Sequence, residues 1–266
     1  MVSAYYLFCY DVTMNIKGLK IYLIYGKKGS GKSLYMAKLA QRLFDSYKWQ
    51  EKKYPTLPRR KLYSNMKYSD EVDKKELGKH LEYWENPEQI YRVRNSDILW
   101  DEIGKDLPAG SWADTPKEIK QVFSHLRKRG NRLFANTQVY EDCDVSFRRQ
   151  CDFAFQIQKV FGSKDVSASL PPPRFIWGIL MMRQFDPLQL EYERDPEKRE
   201  ELQLSWFPSF MLVKRSLIEM YDTHAEIPPY QPNKLREIIL TCREGELCQD
   251  KDKHGLPHKK IKHVPV

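Results

Sequence analysis

The sequence predicts an α/β fold, in which a mostly parallel central sheet is flanked by helices. Short apolar runs of β-forming residues alternate with helical patterns, and such alternation is typical of parallel strands joined by helices. A glycine-rich octapeptide follows the first run, at 26–33, and a later run ends in Asp101 and Glu102. In open sheets of this class, ligands bind at the carboxyl ends of the strands, where we expect both segments.

The octapeptide fits the pattern G-x-x-x-x-G-K-[ST] at every fixed position. Residues 19–25 predict a buried strand before it, and a helical pattern follows it, with apolar residues at Met36, Leu39, Ala40 and Leu43. Glycines let such a loop wrap closely around phosphate, towards which the loop N–H groups and the helix N-terminus point. The predicted nucleotide contacts are Gly26, Lys27, Lys28, Gly29, Ser30, Gly31, Lys32, Ser33 and Leu34. We expect Lys32 to reach the β- and γ-phosphates of ATP and the Ser33 hydroxyl to hold Mg²⁺.

The apolar run 98–100 ends in two acids, as in a Walker B element. Asp101 at the strand tip is expected to hold Mg²⁺, directly or through water. Glu102 is expected to orient and deprotonate the attacking water as a general base. An exposed pair of surface acids is the alternative interpretation, which the phosphate-binding loop upstream disfavours.

Residues 132–138 predict another strand, which ends in Thr137 and Gln138. If this strand neighbours the one that ends in Asp101, Gln138 could bond the γ-phosphate or the attacking water. A strand that simply ends in polar residues remains the alternative.

Two basic segments are candidates for contacts with phosphate. A helix with an apolar face at 119–126 ends in Arg127-Lys128-Arg129-Gly130, which suits either DNA phosphates or the negative end of the helix dipole. Arg148 and Arg149 precede an alternating strand, and either arginine could reach the nucleotide of an adjacent subunit. A plain surface pair is equally compatible with the sequence, which does not choose between the two arginines.

Composition restricts the class of protein further. The 266 residues carry a net charge of +9, which suits an acidic partner such as nucleic acid or an anionic membrane surface, or simply aids solubility. The five scattered cysteines and the absence of a secretory signal favour a reducing compartment. The longest later apolar run, 175–182, is too short to span a bilayer.

The rest of the chain completes the domain plan. We expect a strand at 62–66, helix and loop at 69–91, paired strands at 174–184 and 202–206, and a helix beginning near Leu212. The predicted divisions are an extension at 1–16, an NTPase domain at 17–228 and a polar, basic tail at 229–266. Met14 is an alternative start, and a zinc site remains an open alternative in the tail, at Cys242, Cys248, His254 and His258.

Together these motifs resemble the FtsK–HerA group of DNA-pumping ATPases, and within it the zonular occludens toxin (Zot) domains, which include the assembly ATPases of filamentous phages. The resemblance covers roughly residues 17–225. It is carried by the phosphate-binding loop, by Asp101-Glu102 and most specifically by the stretch from Arg127 to Gln138. Further positions fit the same pattern, namely Asn65, the segment 148–152 and Tyr221-Asp222-Thr223.

The resemblance implies a P-loop NTPase fold with an additional strand, of the ASCE or RecA-like kind, that hydrolyses ATP with Mg²⁺. It also implies a ring of subunits, phage or plasmid DNA and capsid or assembly proteins as partners, and work in DNA packaging or extrusion. Filamentous-phage members usually carry a transmembrane helix, which this sequence lacks; we therefore expect a protein of the host cytoplasm, with peripheral association at the inner membrane left open. An ATP-switched assembly factor that moves no DNA, and a small-molecule kinase, are the alternatives.

Overall fold

The structure is a computed structural model that describes residues 18–56, 59–68, 79–113, 115, 117–162, 176–193, 195–204 and 208–220. The predicted extension at 1–16 and tail at 229–266 lie outside these ranges, as do Met14 and the four cysteine and histidine residues considered for zinc. The predicted domain limits therefore stay predictions.

The described residues form one sheet of eight strands in the order β3-β2-β4-β5-β1-β6-β7-β8. Strands β1 to β6 are parallel, and β7 and β8 are antiparallel additions beside β6. The strands are β1 (Ile21–Tyr25), β2 (Lys61–Ser64), β3 (Leu81–Tyr83), β4 (Ser96–Trp100), β5 (Arg132–Thr137), β6 (Phe153–Gly162), β7 (Ile176–Phe185) and β8 (Ser209–Lys214). Because β5 separates β1 from β4, the sheet has the additional strand that the sequence predicts, and the fold class is confirmed.

Helices cover the sheet and connect its strands. They are α1 (Lys32–Lys53), α2 (Ile103–Asp106), α3 (Lys117–His125), α4 (Val145–Arg148), α5 (Pro187–Tyr192), α6 (Pro196–Glu201) and α7 (Arg215–Met220). Short 3₁₀ turns lie at Pro87–Arg92, Ser111–Ala113 and Tyr140–Asp142.

Both faces of the sheet are buried, which explains why the central strand β1 is apolar and aromatic throughout. In β1, Tyr22 and Ile24 pack beneath α1, whereas Ile21 and Leu23 pack on the opposite face with α3. Side chains alternate along a strand, so one short apolar run can contribute to two cores. The sheet is thereby fixed from both sides, and its carboxyl edge becomes a rigid base for the loops.

Helix α1 is longer than the sequence predicts. The helical pattern of apolar residues predicted from the sequence ends at Leu43, but the helix continues to Lys53. The additional length is explained by Tyr47, which is 1% exposed. Its hydroxyl group donates a hydrogen bond to the carboxylate of Asp97 in β4. This tertiary contact holds two further turns whose own sequence is polar, as packing commonly overrides local propensity.

Asp97 is the centre of a buried polar cluster at the amino edge of the sheet. Its carboxylate pairs with Arg60, at 3.0 Å, and with Arg132, whose Nη2 lies 2.6 Å from Oδ2. Burial by itself raises the pKa of Asp97, but the hydrogen bonds and charges of Arg132 and Arg60 outweigh it and hold the pKa below its ordinary value. The cluster ties β2, β4, β5 and α1 together.

Three further expectations differ from the structure. The segment 69–91, expected as helix and loop, contains the short strand β3 in its described part. The helix expected from Leu212 begins at Arg215, because Met211 and Val213 alternate into the core as part of β8. Of the paired strands expected at 174–184 and 202–206, the first is found as β7. In place of the second there is a single bridge between Phe185 and Gln203. Residues 205–207 lie outside the described residues.

Gly130 ends the basic turn after α3, as predicted. Its φ of 73° lies in the left-handed region that favours glycine. The N–H of Gly130 donates to Arg127 at 3.0 Å, and the N–H of Asn131 donates to Leu126 at 3.0 Å, which is the Schellman arrangement. The chain thus turns sharply into β5.

Candidate active site

The loop between β1 and α1 leaves no room for side chains at two of its glycines. A Cβ on Gly26 would collide with the carbonyl oxygen of Ile157 in β6, and a Cβ on Gly31 would lie 2.6 Å from Leu180. Gly29 and Gly31 have φ values of 76° and 94°, which glycine adopts without strain. Close packing on the neighbouring strands and unusual backbone angles therefore both require the glycines of the motif.

Lys32 lies in the first turn of α1 and points back over the loop. Its Nζ donates to the carbonyl oxygens of Gly26 at 2.7 Å and Lys27 at 3.2 Å. Burial lowers its pKa below the ordinary value, and the negative charges of Asp101 and Glu102 oppose that shift. The ammonium group is thus held against the backbone of the loop.

The loop fits a bound phosphate group. The Ser30 hydroxyl oxygen is buried and has no hydrogen-bond partner, which is costly unless a ligand supplies one. Lys27, Lys28 and Gly29 are exposed at the rim, and Ser33 lies half-buried in the first turn of α1. Leu34 is buried, so only its backbone could contact a nucleotide. A 22-residue helix follows, and its N-terminus favours an anion.

Asp101 follows β4 directly and is 4% exposed. The Asn65 side chain fixes its backbone twice, with Nδ2 3.0 Å from the Asp101 carbonyl oxygen and Oδ1 2.7 Å from its N–H. Asn136 of β5 donates a hydrogen bond to the Asp101 carboxylate. Two amides, one from each neighbouring strand, thus position a single carboxylate.

Burial raises the pKa of Asp101 to about 6, although the hydrogen bond from Asn136 opposes this shift. The charge of Glu102 raises the pKa further, and the charge of Lys32 lowers it. A buried carboxylate with so few partners is electrostatically suited to a cation. The loop follows β1 and the two acids follow β4, so both lie at the carboxyl edge of the sheet on either side of β5.

Glu102 has a backbone conformation that is rare for its residue type. Its φ of 54° and ψ of 45° are left-handed, and its N–H donates to the Asn136 side chain at 2.7 Å. Such angles cost free energy and persist where the surroundings impose them, commonly at functional sites. The half-buried carboxylate forms an ion pair with Lys105 of α2.

Gln138 lies immediately beyond β5, the strand between the loop and the acids. Its carbonyl oxygen accepts a hydrogen bond of 3.2 Å from the N–H of Gly26, and its side chain is exposed. The strand pairing satisfies the condition on which its predicted role depended, since β5 pairs with β4 through Ala135 and Trp100. The role itself stays a prediction.

The structure distinguishes Arg148 from Arg149, the two candidates for an arginine finger that reaches the nucleotide of an adjacent subunit. Arg148 is 9% exposed, pairs with Glu191 at 2.8 Å and lies over the ring of Tyr140. Arg149 is exposed. Because a finger must reach outside its own subunit, Arg149 is the better candidate of the pair.

Sequence reasoning missed Asn136 and Lys105, and it named Asn65 only as a position that fits the resemblance, without its contact to Asp101. The only local signal at Asn136 is a polar amide at a fully buried position of an apolar strand. Such an amide needs partners inside the protein, and here they are Asp101 and Glu102.

Two searches of the described ranges concern metals and membranes. They contain no group of three or more histidine, cysteine, aspartate or glutamate residues that could hold a metal ion. The Mg²⁺ site that the sequence predicts has one carboxylate and one hydroxyl, so it would not form such a group. No helix in those same ranges is both long and apolar enough to pass through a bilayer.

Comparison with known proteins finds similarity among solved structures. Neither a family model nor a curated protein matches it. Similar solved structures include the N-terminal domain of zonular occludens toxin from Neisseria meningitidis, at 19% identity, covering 77% of this chain and 100% of that one with a TM-score of 0.49. Another is the genome packaging NTPase B204 from Sulfolobus turreted icosahedral virus 2 in complex with AMP, at 13% identity, 65% and 95% coverage and a TM-score of 0.42.

The flagellar accessory protein FlaH from Methanocaldococcus jannaschii is also similar, at 12% identity, with 63% of this chain and 78% of that chain covered and a TM-score of 0.40. A Zot domain is thus among the structural neighbours, as the resemblance of the motifs predicts. At these identities the similarity concerns the fold.

Proposed function

We propose that this protein is a Mg²⁺-dependent ATPase that powers DNA packaging or extrusion during assembly of a phage or mobile-element particle. The observation that carries the ATPase is the placement of Lys32, Asp101 and Glu102 at the carboxyl ends of β1 and β4, on either side of the additional strand β5. The packaging role rests on the resemblance of the motifs to DNA-pumping ATPases.

In the proposed reaction, the loop binds the triphosphate of ATP through its N–H groups, and Lys32 neutralises the charge that develops on the γ-phosphate. Glu102 takes a proton from water as the water oxygen bonds to the γ-phosphorus. The bond from that phosphorus to the β–γ bridging oxygen breaks, and ADP and phosphate leave. Gln138 is proposed to orient the water or the γ-phosphate.

The residues suited to Mg²⁺ are Ser33 and Asp101, which offer the hydroxyl and carboxylate oxygens that this ion prefers. Mg²⁺ bound there would supply positive charge to the phosphates. The raised pKa of Asp101 fits this assignment, because a nearby cation would favour its ionised form.

Lys105 is proposed to regulate Glu102, the proposed general base. Its ammonium group pairs with one oxygen of the Glu102 carboxylate, so that oxygen must exchange this partner for water before it can accept a proton. Lys105 is exposed and could move away at little cost. We infer that Glu102 is released when nucleotide and DNA are both bound.

We further propose a ring of subunits in the host cytoplasm, with peripheral contact to the inner membrane left open. Arg149 would reach the nucleotide of the neighbouring subunit, and capsid or assembly proteins would bind outside the ring. A ring also suits a protein that must hold DNA while ATP is exchanged.

The test is ATP turnover by the purified full chain, alone and with single-stranded or duplex DNA. We expect turnover that DNA stimulates, and we expect Lys32→Ala to lower kcat/KM at least about 100-fold, because it removes the cation nearest the γ-phosphate. Lys38→Ala, a lysine of the same helix that bonds to Gln41, is the matched control and should retain turnover. Turnover that is indifferent to DNA would indicate an ATP-switched assembly factor, and phosphate transferred to a small acceptor would indicate a kinase.

A further inference from the structure

The last turns of α1 project beyond the sheet. The helix has 22 residues, about 33 Å, whereas the five residues of β4 span about 17 Å. Lys32 lies at the carboxyl edge of the sheet, and Tyr47 already reaches Asp97, the second residue of β4. Residues 48–54 therefore extend past the amino edge of the sheet, which is the edge opposite the nucleotide loop.

This projecting segment exposes two aromatic side chains. Trp49 is 56% exposed and Tyr54 is 43% exposed, and their ring centroids are 6.3 Å apart. The Lys53 ammonium lies 4.7 Å from the Trp49 ring and 5.3 Å from the Tyr54 ring. Large aromatic side chains are usually much more buried, so an exposed pair with a lysine between its rings suggests a surface that binds something.

The amino edge around this pair is basic. Arg92 and Arg94 directly precede β4, and the turn at 127–129 precedes β5. Arg60 connects both segments, because its guanidinium donates to Asn95 at 2.8 Å and to the Gly130 carbonyl at 3.1 Å. Cations that are exposed here and have no ion pair among the described residues are Lys48, Lys52, Lys53, Arg92, Arg94 and Lys128.

The carboxylates on the described part of this edge are already engaged. Glu51 lies 2.9 Å from Arg59 and 3.5 Å from His80, Asp152 pairs with Arg127, and Asp97 is buried in its own cluster. The charge of the remaining cations is thus left for a partner. A second copy of the same edge would bring like charges together, so charge complementarity favours an acidic polymer.

We propose that this surface, formed by 48–54, 92–94 and 127–129, binds single-stranded DNA. Unpaired bases would stack on Trp49 and Tyr54, and phosphates would contact the surrounding cations, which is the usual chemistry of single-strand sites. A duplex hides its base faces and would leave the aromatic pair unused. The inference rests on the proposed function, since it names the form and the site of the DNA.

The placement also suggests how DNA acts on ATP. One helix carries Lys32 in its first turn and Trp49 near its last, so a strand held at the amino edge contacts the same rigid element that begins the nucleotide site.

The test is the affinity of the full chain for fluorescent oligothymidylate, measured by anisotropy at several salt concentrations. Trp49→Ala should weaken binding roughly 5- to 150-fold, the range for one lost base stack. Lys128→Ala should lower the magnitude of the salt slope by about 0.7, because one phosphate contact is lost. Phe161→Ala is the matched control, as that aromatic residue is 64% exposed at the other end of the sheet, and it should bind normally.

Basal ATP turnover without DNA should be unchanged in Trp49→Ala, which separates this site from the nucleotide site. Normal oligothymidylate binding by Trp49→Ala would overturn the proposal while leaving the ATPase intact. If Trp49→Ala weakened the binding of duplex and single-stranded DNA equally, the stacking argument would be overturned. If the variant changed the oligomeric state without a change of DNA affinity, the surface would bind a second copy instead, which would also overturn the proposal.

Discussion

Replacing Glu102 by glutamine should lower kcat for ATP hydrolysis by about 100-fold or more, with ATP affinity nearly unchanged. Glutamine keeps the shape of the side chain but cannot take a proton from water, and general bases typically contribute 10²- to 10⁴-fold. The backbone hydrogen bond to Asn136 does not depend on the carboxylate, so the left-handed turn at 102 should persist. Steady-state turnover together with nucleotide-binding titrations measures both quantities.

Glu82→Gln is the control for this prediction, because Glu82 forms a surface ion pair with Lys61 on the outer strands. It should leave kcat within about twofold of the native value, since exposed pairs contribute little. If Glu102→Gln turned over ATP at the native rate, Glu102 would not be the base.

Asp97→Asn should lower the free energy of unfolding by about 3–5 kcal/mol. The substitution removes the negative charge that Arg60 and Arg132 share in a fully buried position, and breaking a buried pair leaves the remaining charge uncompensated. Glu141→Gln breaks an exposed ion pair with Arg199 instead and should cost less than about 1 kcal/mol. Denaturant unfolding of both variants measures the difference.

The same carboxylate gives the stability a pH dependence. The pKa of Asp97 is lowered in the folded protein, so its contribution is complete above the unfolded value of about 3.9 and is lost as pH falls through the lower folded value. Asp97→Asn should remove that part of the acid dependence. Equal stability of the native and Asp97→Asn proteins near neutral pH would contradict the assigned importance of the cluster.

The nucleotide loop and the two acids could be predicted from sequence because each is a local pattern. The glycines, the lysine and the serine of the phosphate-binding motif all lie within the eight residues 26–33, and Asp101-Glu102 directly follow an apolar run. Even the additional strand could be anticipated, since the motif order resembles that of a known group. What these elements share is that neighbouring residues suffice to define them.

The supporting residues could not be predicted because their partners are distant along the chain. Asn136 and Asn65 both contact the Asp101-Glu102 pair from about 35 positions away. Asp97 is paired with Arg132 of β5 and with Arg60, which directly precedes β2. The length of α1 was underestimated for the same reason, as the contact of Tyr47 with Asp97 is tertiary. Strand β3 has only three residues and depends on pairing with β2.

The most direct measurement is a crystal structure of the Glu102→Gln variant with ATP and Mg²⁺. The account predicts triphosphate within the loop at 26–33, the Lys32 ammonium against the γ-phosphate, and the metal ion between Ser33 and Asp101. ATP bound elsewhere, or in the loop with Asp101 and residue 102 turned away from the γ-phosphate, would contradict it.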